Sequence, residues 1–183
     1  PKIEKYVLKT FRSEDKMITS YQNREIAAMV GLDSIPEEVA ADFSSLNYST
    51  PMDGNVMLFL NNSSELLKDV KLRRALVQAT DTKELLSQLS FTAIATHGPL
   101  LKQQVGYDPT VVQSPNDPAA ASKLFDEAGW LMQEDGLRKK EGQPLTLRFI
   151  SQNVAEYATL AQQLQKQWKQ YGVTVDVGLR SEE

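Results

Sequence analysis

Cysteine is absent from the 183-residue sequence, and histidine occurs once. The lack of cysteine excludes disulfides, thiolate catalysis and cysteine-ligated zinc, but it does not identify the compartment, because many exported bacterial proteins also lack cysteine. A metal site would need further ligands, and no metal-binding spacing accompanies the histidine. We therefore expect no bound metal ion and no cofactor.

Positive charge is not in excess. The net charge is -4 and the pI is about 5.2, whereas proteins that bind nucleic acid usually carry a basic face. No apolar run approaches the ~18 residues of a membrane span, and no charged-then-apolar leader opens the chain. With 41% hydrophobic residues, the chain can bury the core of a globular domain. Because it begins with Pro1 and enters a strand-like run at once, we expect a piece of a longer protein.

Catalytic motifs are missing as well. The sequence has no glycine-rich phosphate loop, no nucleophile elbow and no His-Glu-x-x-His motif. Four carboxylates could suggest paired acid-base chemistry, but two belong to a predicted helix and two to a predicted turn, with no pattern that joins the pairs. These residues are Asp126, Glu127, Glu134 and Asp135. We predict that the protein is not an enzyme.

Two short helices that meet at Asp81 form the most clearly patterned stretch. Asp69 can cap the first helix, and an apolar stripe follows at i, i+3, i+4 and i+7. Asp81 and Glu84 form an acidic capping box that opens the second helix. Arg73 and Arg74 on the polar face could bind a carboxylate, although adjacent arginines on such a face are usually solvated. The buried stripe comprises Leu72, Ala75, Leu76 and Ala79.

Upstream of these helices, the sequence predicts two strands and two helices. Apolar and polar residues nearly alternate over Ile3–Phe11, as in a half-buried strand. Ser13 can cap a helix, and Ser34 begins a capping box for another helix that runs through Phe43. The continuous apolar run Asn55–Asn61 is typical of a strand that is buried on both faces.

Regular patterning lapses between Ser90 and Pro115. Long irregular loops in compact domains are more often functional than accidental, since ordering them costs backbone entropy. This segment contains Gly98 and the only histidine, His97. The alternative interpretation is a surface loop in which His97 touches only water.

The last third of the sequence begins with a well-marked helix. Asp117 caps it, and Gly129 ends it. Gly142 can then supply the positive φ of a hairpin turn. Trp130 and Trp168 are expected in the core rather than against a ligand, because large aromatic side chains dominate core burial.

Alternating strands and helices complete the chain. Hydrophobic periodicity predicts a strand over residues 145–149, a helix over 157–171 and a strand over 173–177. This order favours a parallel pair of strands joined by a right-handed crossover.

Four segments resemble motifs of the family 5 extracellular solute-binding proteins, the peptide-, dipeptide- and nickel-binding receptors that feed ABC importers. Asp69–Asp81 resembles the family's Asp-Val-x-Val-Arg-x-Ala-Leu…Ala-x-Asp signature, and Ala121–Trp130 resembles Ala-x-Lys-Leu-Leu-x-Glu-Ala-Gly-Trp. Tyr107–Pro109 resembles the family's Tyr-Asp-Pro turn, and Lys140–Leu145 resembles its Lys-Asp-Gly-Lys-Pro-Leu hairpin. The resemblance implies an α/β protein in which residues 1–183 form a single domain. This domain would be part of the C-terminal lobe of a periplasmic-binding-protein-like (type II) fold, with a mixed sheet flanked by helices.

The resemblance also implies a function. The chain would belong to the substrate-binding component of an ABC importer that captures peptides or similar solutes between two lobes, with Thr96, His97 and Gly98 near the ligand groove. Its partners would be the solute, the membrane permease and an N-terminal lobe of the same protein, and not nucleic acid. The location would be the extracellular face of the membrane or the periplasm, with a lipid anchor. Two alternatives stay open: the ligand-sensing domain of a transcriptional regulator, and a receptor for nickel or another metal chelate.

Overall fold

The computed structural model describes residues 2–32, 35–41, 45–48, 55–89 and 93–181. Within them the backbone forms six α-helices and five β-strands, which confirms the α/β class. The chain divides into two compact units, Pro1–Ser49 and Thr50–Glu183. None of the helices in the described residues is long and apolar enough to cross a membrane.

The first unit contains α1 (Glu14–Gln22) and the single turn α2 (Glu37–Ala40). The helix predicted after Ser13 is confirmed, with Glu14 and Asp15 in its first turn, where carboxylates interact favourably with the free N–H groups. The Ser13 hydroxyl itself makes no capping hydrogen bond. In α2 the N-cap position is occupied by Pro36, and both Ser34 and Phe43 of the predicted helix lie outside the described residues.

The predicted strand over Ile3–Phe11 is wrong. The structure has no strand there, and Ile3, Tyr6, Val7 and Leu8 are between 69% and 82% exposed. Alternation identifies the face that a strand would bury, but a strand also needs a neighbour for its backbone hydrogen bonds. Among the described residues, nothing pairs with this segment.

The second unit contains four helices: α3 (Val70–Gln78), α4 (Thr82–Ser87), α5 (Pro118–Glu127) and α6 (Ala155–Lys169). The predicted caps are confirmed: the side chains of Asp69, Asp81 and Asp117 accept from backbone N–H groups two or three residues onward. The capping box at Asp81 is only half right. The Asp81 carboxylate accepts from the N–H of Glu84 as predicted, but the N–H of Asp81 donates to Oε1 of Gln167 at 2.9 Å rather than to the Glu84 side chain.

The strands of this unit form two small sheets. A three-stranded antiparallel sheet has the order β1 (Leu131–Met132), β2 (Arg138–Lys140), β3 (Gln143–Pro144). A second sheet pairs β4 (Thr146–Gln152) with β5 (Thr174–Arg180) in parallel, as predicted. The connection from β4 to β5 is α6, which packs against both strands.

The predicted strand over Asn55–Asn61 is also wrong. These residues have no regular structure, and Val56 and Phe59 are 61% and 81% exposed. Only Leu60 packs against the core. A strand buried on both faces requires cover from two layers, and the described residues do not provide it.

The core of the second unit lies between α3, α5, α6 and the parallel sheet. The predicted stripe of α3 is buried, and Trp130 and Trp168 are core residues as expected. One charged residue, Arg138, lies among them at 3% exposure. The largest fully buried side chains are Phe125, Leu72, Leu76, Leu145 and Val173.

Candidate functional site

A shallow depression of about 410 Å³ opens on the outer side of α3. We call it the α3 depression; its lining consists of Leu60, Asn62, Val70, Arg73, Arg74, Val77, Gln113 and Ser114. The four helical members follow each other at i, i+3, i+4 and i+7, so they share one side of α3. The opposite side carries the buried stripe. One helix therefore supplies both a core wall and a solvent-facing wall.

The far wall of the depression is held in place by hydrogen bonds at its base. The N–H of Gln113 donates to the carbonyl of His97 at 2.7 Å. Asn116 and Asp117 both donate to the carbonyl of Gln78, at 2.8 and 3.0 Å, through the Asn116 side-chain amide and the Asp117 N–H. The end of the 93–115 loop is thus fixed to the last turn of α3 and to the start of α5.

The two arginines of the depression differ in their contacts. Nη1 of Arg73 donates to the carbonyls of Leu67 and Lys68, at 2.7 and 3.0 Å, and so closes the turn that precedes α3. Arg74 is exposed, and in the described part of the chain its guanidinium has no hydrogen-bond or ion-pair partner. Only Arg74 keeps its full set of donors for a ligand.

The predicted groove residues do not line this depression. Thr96 and His97 are exposed, and Gly98 is half-buried. A Cβ atom at Gly98 would lie 2.8 Å from the carbonyl oxygen of Val111, so the two loop segments approach as closely as they do only because residue 98 is glycine. Through its carbonyl, His97 positions Gln113 of the depression wall. A role for these three residues in a ligand groove stays a prediction.

The Tyr-Asp-Pro turn precedes the same wall. The carboxylate of Asp108 accepts from the hydroxyl and the N–H of Thr110, at 2.7 and 2.8 Å. These two hydrogen bonds, the hydroxyl foremost, hold the pKa of Asp108 below its ordinary value. Val111 then donates its N–H to the Asp108 carbonyl, which turns the chain toward residues 113 and 114.

Three of the four acidic residues singled out in the sequence pair with separate cations. Asp126 pairs with Arg138 at 2.5 Å, Glu127 with Lys71 at 3.1 Å, and Asp135 with Lys139 at 2.6 Å. Each of these three carboxylates therefore interacts with a cation of its own, whereas paired acid-base chemistry requires two carboxylates at one reacting group. Across the described ranges, no group of three potential metal ligands occurs.

Sequence reasoning singled out Arg73 and Arg74 but missed the other polar members of the depression. Asn62 lies eight residues before α3 begins, whereas Gln113 and Ser114 lie 35 and 36 residues after it ends, and no local pattern joins them to the outer side of the helix. The buried Arg138 was also missed, since no local pattern distinguishes it from a surface arginine on a short strand.

The family model of bacterial extracellular solute-binding proteins, family 5 Middle, matches residues 1–182. The chain belongs to this family. The resemblance seen in the sequence is therefore confirmed, and family 5 solute-binding proteins act outside the cytoplasm, in the extracellular or periplasmic space.

Two similar proteins show the extent of the match. The chain is 32% identical over 117 residues to the oligopeptide-binding protein OppA of Lactococcus lactis, which covers 61% of this chain and 19% of that protein. It is 32% identical over 85 residues to Protein XP55 of Streptomyces lividans, covering 46% of this chain and 16% of the relative. The chain therefore spans less than a fifth of these relatives.

Similar solved structures confirm the type II periplasmic-binding-protein fold over part of the chain. NikA from Brucella suis, in complex with Fe(III)-EDTA, superposes with a TM-score of 0.59 at 26% identity, over 67% of this chain and 25% of NikA. AppA from Bacillus subtilis, an oligopeptide-binding protein in complex with a nonapeptide, superposes with a TM-score of 0.58 at 28% identity, over 66% of this chain and 25% of AppA.

Proposed function

We propose that this chain is part of the substrate-binding component of an ABC importer, and that it forms most of the later of two lobes between which a peptide is captured. Membership of family 5 and the similarity to OppA of L. lactis support this function. The observation that carries most weight is the structural similarity to AppA, whose structure contains a nonapeptide.

Capture would be reversible binding without a chemical step. Receptors of this kind hold an extended peptide through main-chain hydrogen bonds and side-chain pockets, and hinge closure of two lobes then buries the ligand. The α3 depression offers both elements on this chain, with apolar contact from Leu60 and Val77 and donors from Arg74 and Gln113. We propose that Thr96, His97 and Gly98 belong to the same ligand-facing region.

The other partners follow from this function. The second lobe would come from the same protein, since its relatives are four to six times longer than the part they share with this chain. The closed form would be recognised by the membrane permease. A lipid anchor would keep the receptor at the extracellular face of the membrane.

Calorimetric titration of the full-length protein with peptides of two to nine residues tests the proposal. We expect micromolar or tighter binding of some of these peptides to the full-length protein, and much weaker binding to the 183-residue chain alone, because one side of the groove is then missing. Micromolar binding by the chain alone would contradict the two-lobe arrangement. Failure of every peptide to bind the full-length protein would contradict peptide capture.

A metal chelate is the second candidate ligand. Besides NikA with Fe(III)-EDTA, NikZ from Campylobacter jejuni in complex with Ni(L-His) superposes with a TM-score of 0.57 at 26% identity. A chelated metal brings its own ligands, so the single histidine of this chain is no obstacle to such binding. Native mass spectrometry of the full-length protein distinguishes the two candidates, because a co-purified peptide and a metal chelate differ in mass and only the chelate is removed by excess chelator. The match to extracellular receptors favours both over a transcriptional regulator.

A further inference from the structure

We propose that the α3 depression is a carboxylate-binding subsite in which the guanidinium of Arg74 pairs with a carboxylate group of the captured peptide. The inference rests on the proposed peptide-binding function and assigns one of its specificity determinants. It follows from three features of the depression: the free guanidinium, the absence of acidic residues in the lining, and the unpartnered polar groups around it.

The division of labour between the two arginines is the first feature. Arg73 donates hydrogen bonds to the carbonyls of Leu67 and Lys68, and these bonds stabilise the turn that precedes α3. Arg74, one residue later, also lines the depression, and the described residues offer its guanidinium no hydrogen-bond or ion-pair acceptor. A free planar guanidinium matches a carboxylate through two parallel N–H···O hydrogen bonds.

Local charge is the second feature. The whole chain carries 24 acidic and 20 basic residues, yet the lining of the depression contains two arginines and no aspartate or glutamate. Two acidic residues that contact α3 are engaged elsewhere, since Glu127 of α5 pairs with Lys71, and Asp69 accepts from the N–H of Lys71 at the start of the helix. The depression is therefore a positive region on a negatively charged protein, and it favours an anionic group.

The remaining lining residues indicate which anion fits. The side chains of Asn62, Gln113 and Ser114 have no hydrogen-bond partner within the described part of the chain, so each can contact ligand main-chain or carboxylate oxygen atoms. Val70 and Val77 lie on the same side of α3 and provide apolar contact. A carboxylate carried next to a carbon side chain, as in an amino-acid residue, satisfies both requirements. The volume of about 410 Å³ lies within the ~300–1,000 Å³ of small-molecule sites.

The experiment uses the full-length protein and three versions of one bound peptide: the free acid, the C-terminal amide, and the amide with glutamate as its last residue. By isothermal titration calorimetry, we expect the wild-type protein to bind at least one of the two carboxylate-bearing peptides about tenfold or more tightly than the plain amide. A preference for the free acid identifies the C-terminal carboxylate as the group bound. A preference for the glutamate amide identifies a side-chain carboxylate.

The variant Arg74→Gln should abolish this preference, because the carboxylate-bearing peptides then lose their ion-pair partner and bind it no more tightly than the plain amide does. Arg148→Gln is the matched control, since Arg148 is exposed on β4 and lies outside the depression; the preference should persist in it. Equal binding of all three peptides by the wild-type protein, or a preserved preference in Arg74→Gln, would overturn the subsite while peptide capture stands. Failure of all three peptides to bind would overturn the proposed function, and the subsite with it.

Discussion

The guanidinium of Arg138 donates to the carboxylate of Asp126 at 2.5 Å, although the arginine side chain is 3% exposed and the aspartate 54%. The same guanidinium donates to the carbonyls of Trp130 and Tyr171 at 2.6 and 2.9 Å, and it lies 4.8 Å from the ring centroid of Phe125. One side chain therefore joins β2 to the ends of α5 and α6. The half-exposed carboxylate of Asp126 balances the positive charge of Arg138, and the carbonyls of Trp130 and Tyr171 accept its other hydrogen bonds.

Replacement of Arg138 by methionine should lower the free energy of unfolding by about 2–4 kcal/mol, because two backbone carbonyl groups and the half-exposed carboxylate of Asp126 lose their donors together. Urea denaturation followed by tryptophan fluorescence measures this change, since Trp130 and Trp168 both lie in the affected core. The control is Arg148→Met at an exposed position of β4, which should change stability by no more than ~0.5 kcal/mol. Equal unfolding midpoints for the two variants would contradict the structural role of Arg138.

Two glycines with the same backbone conformation should respond differently to alanine. Gly136 and Gly172 have φ angles of +75° and +76°, but a Cβ at Gly136 would meet nothing within 4 Å. At Gly172 it would lie 2.8 Å from the nitrogen of Arg138 and 2.9 Å from the carbonyl oxygen of Gly136. We expect Gly136→Ala to cost ~1–2 kcal/mol for the left-handed backbone alone, and Gly172→Ala to cost ~1–3 kcal/mol more through steric overlap. Thermal unfolding of both variants tests the difference, and equal losses would mean that the close approach is absent.

A glutamine of α6 should be more important than its position on a helix suggests. Gln167 accepts from the N–H of Asp81 at 2.9 Å and donates to the Asp81 carbonyl at 3.1 Å, so it joins the α3–α4 junction to α6. Gln167→Met keeps most of the volume but leaves these two backbone groups without partners, and should cost ~1–3 kcal/mol of unfolding free energy. Gln162→Met, at an exposed site of the same helix, should have little effect. Urea denaturation of both variants makes the comparison, and a small loss for both would refute the connection.

The pKa of Asp135 should depend on Lys139. A hydrogen bond from the Lys139 ammonium is the main cause that lowers this pKa, with the N–H of Leu137 second. Lys139→Ala should raise the pKa of Asp135 toward its ordinary value, as measured by carboxyl-carbon NMR shifts against pH. The pKa of Asp108, which is lowered by Thr110, serves as the internal control and should not move.

The sign of the accompanying stability change follows from the direction of the shift. Because the native pKa of Asp135 is lowered, the native state releases this proton more readily than the unfolded state does. The resulting stabilisation is fully present above the ordinary pKa of ~3.9 and is lost as the pH falls through the lowered native value. Lys139→Ala should therefore lose stability at neutral pH and show a flatter decline in acid. An unchanged acid profile would contradict the assignment.

Sequence patterns predicted the elements whose determinants lie within the elements themselves. The aspartates that cap α3, α4 and α5 act on N–H groups two or three residues away, so the cap can be read locally. The parallel pairing of β4 and β5 was also predictable, because a helix between two strands leaves few other arrangements. The family resemblance depends on these same segments.

The errors arose where structure depends on distant partners. Ile3–Phe11 and Asn55–Asn61 have the composition of strands, but composition does not supply a neighbouring strand, and the described residues contain none for them. The acceptor of the Asp81 N–H could not be predicted for a similar reason, since Gln167 is 86 residues away. In the α3 depression, the sequence indicated the arginine pair but could not show that Arg73 is hydrogen-bonded to backbone carbonyls and that Arg74 has no partner among the described residues.

Because α3 turns Leu72, Ala75 and Leu76 toward the core and Val70, Arg74 and Val77 toward the depression, the two sets of positions can vary independently. A combinatorial library randomised at 70, 74 and 77 should yield mostly soluble, folded variants, whereas the same diversity at 72, 75 and 76 should yield few. On the proposed function, substitutions at 70, 74 and 77 would then change ligand preference while the core residues of α3 keep the fold.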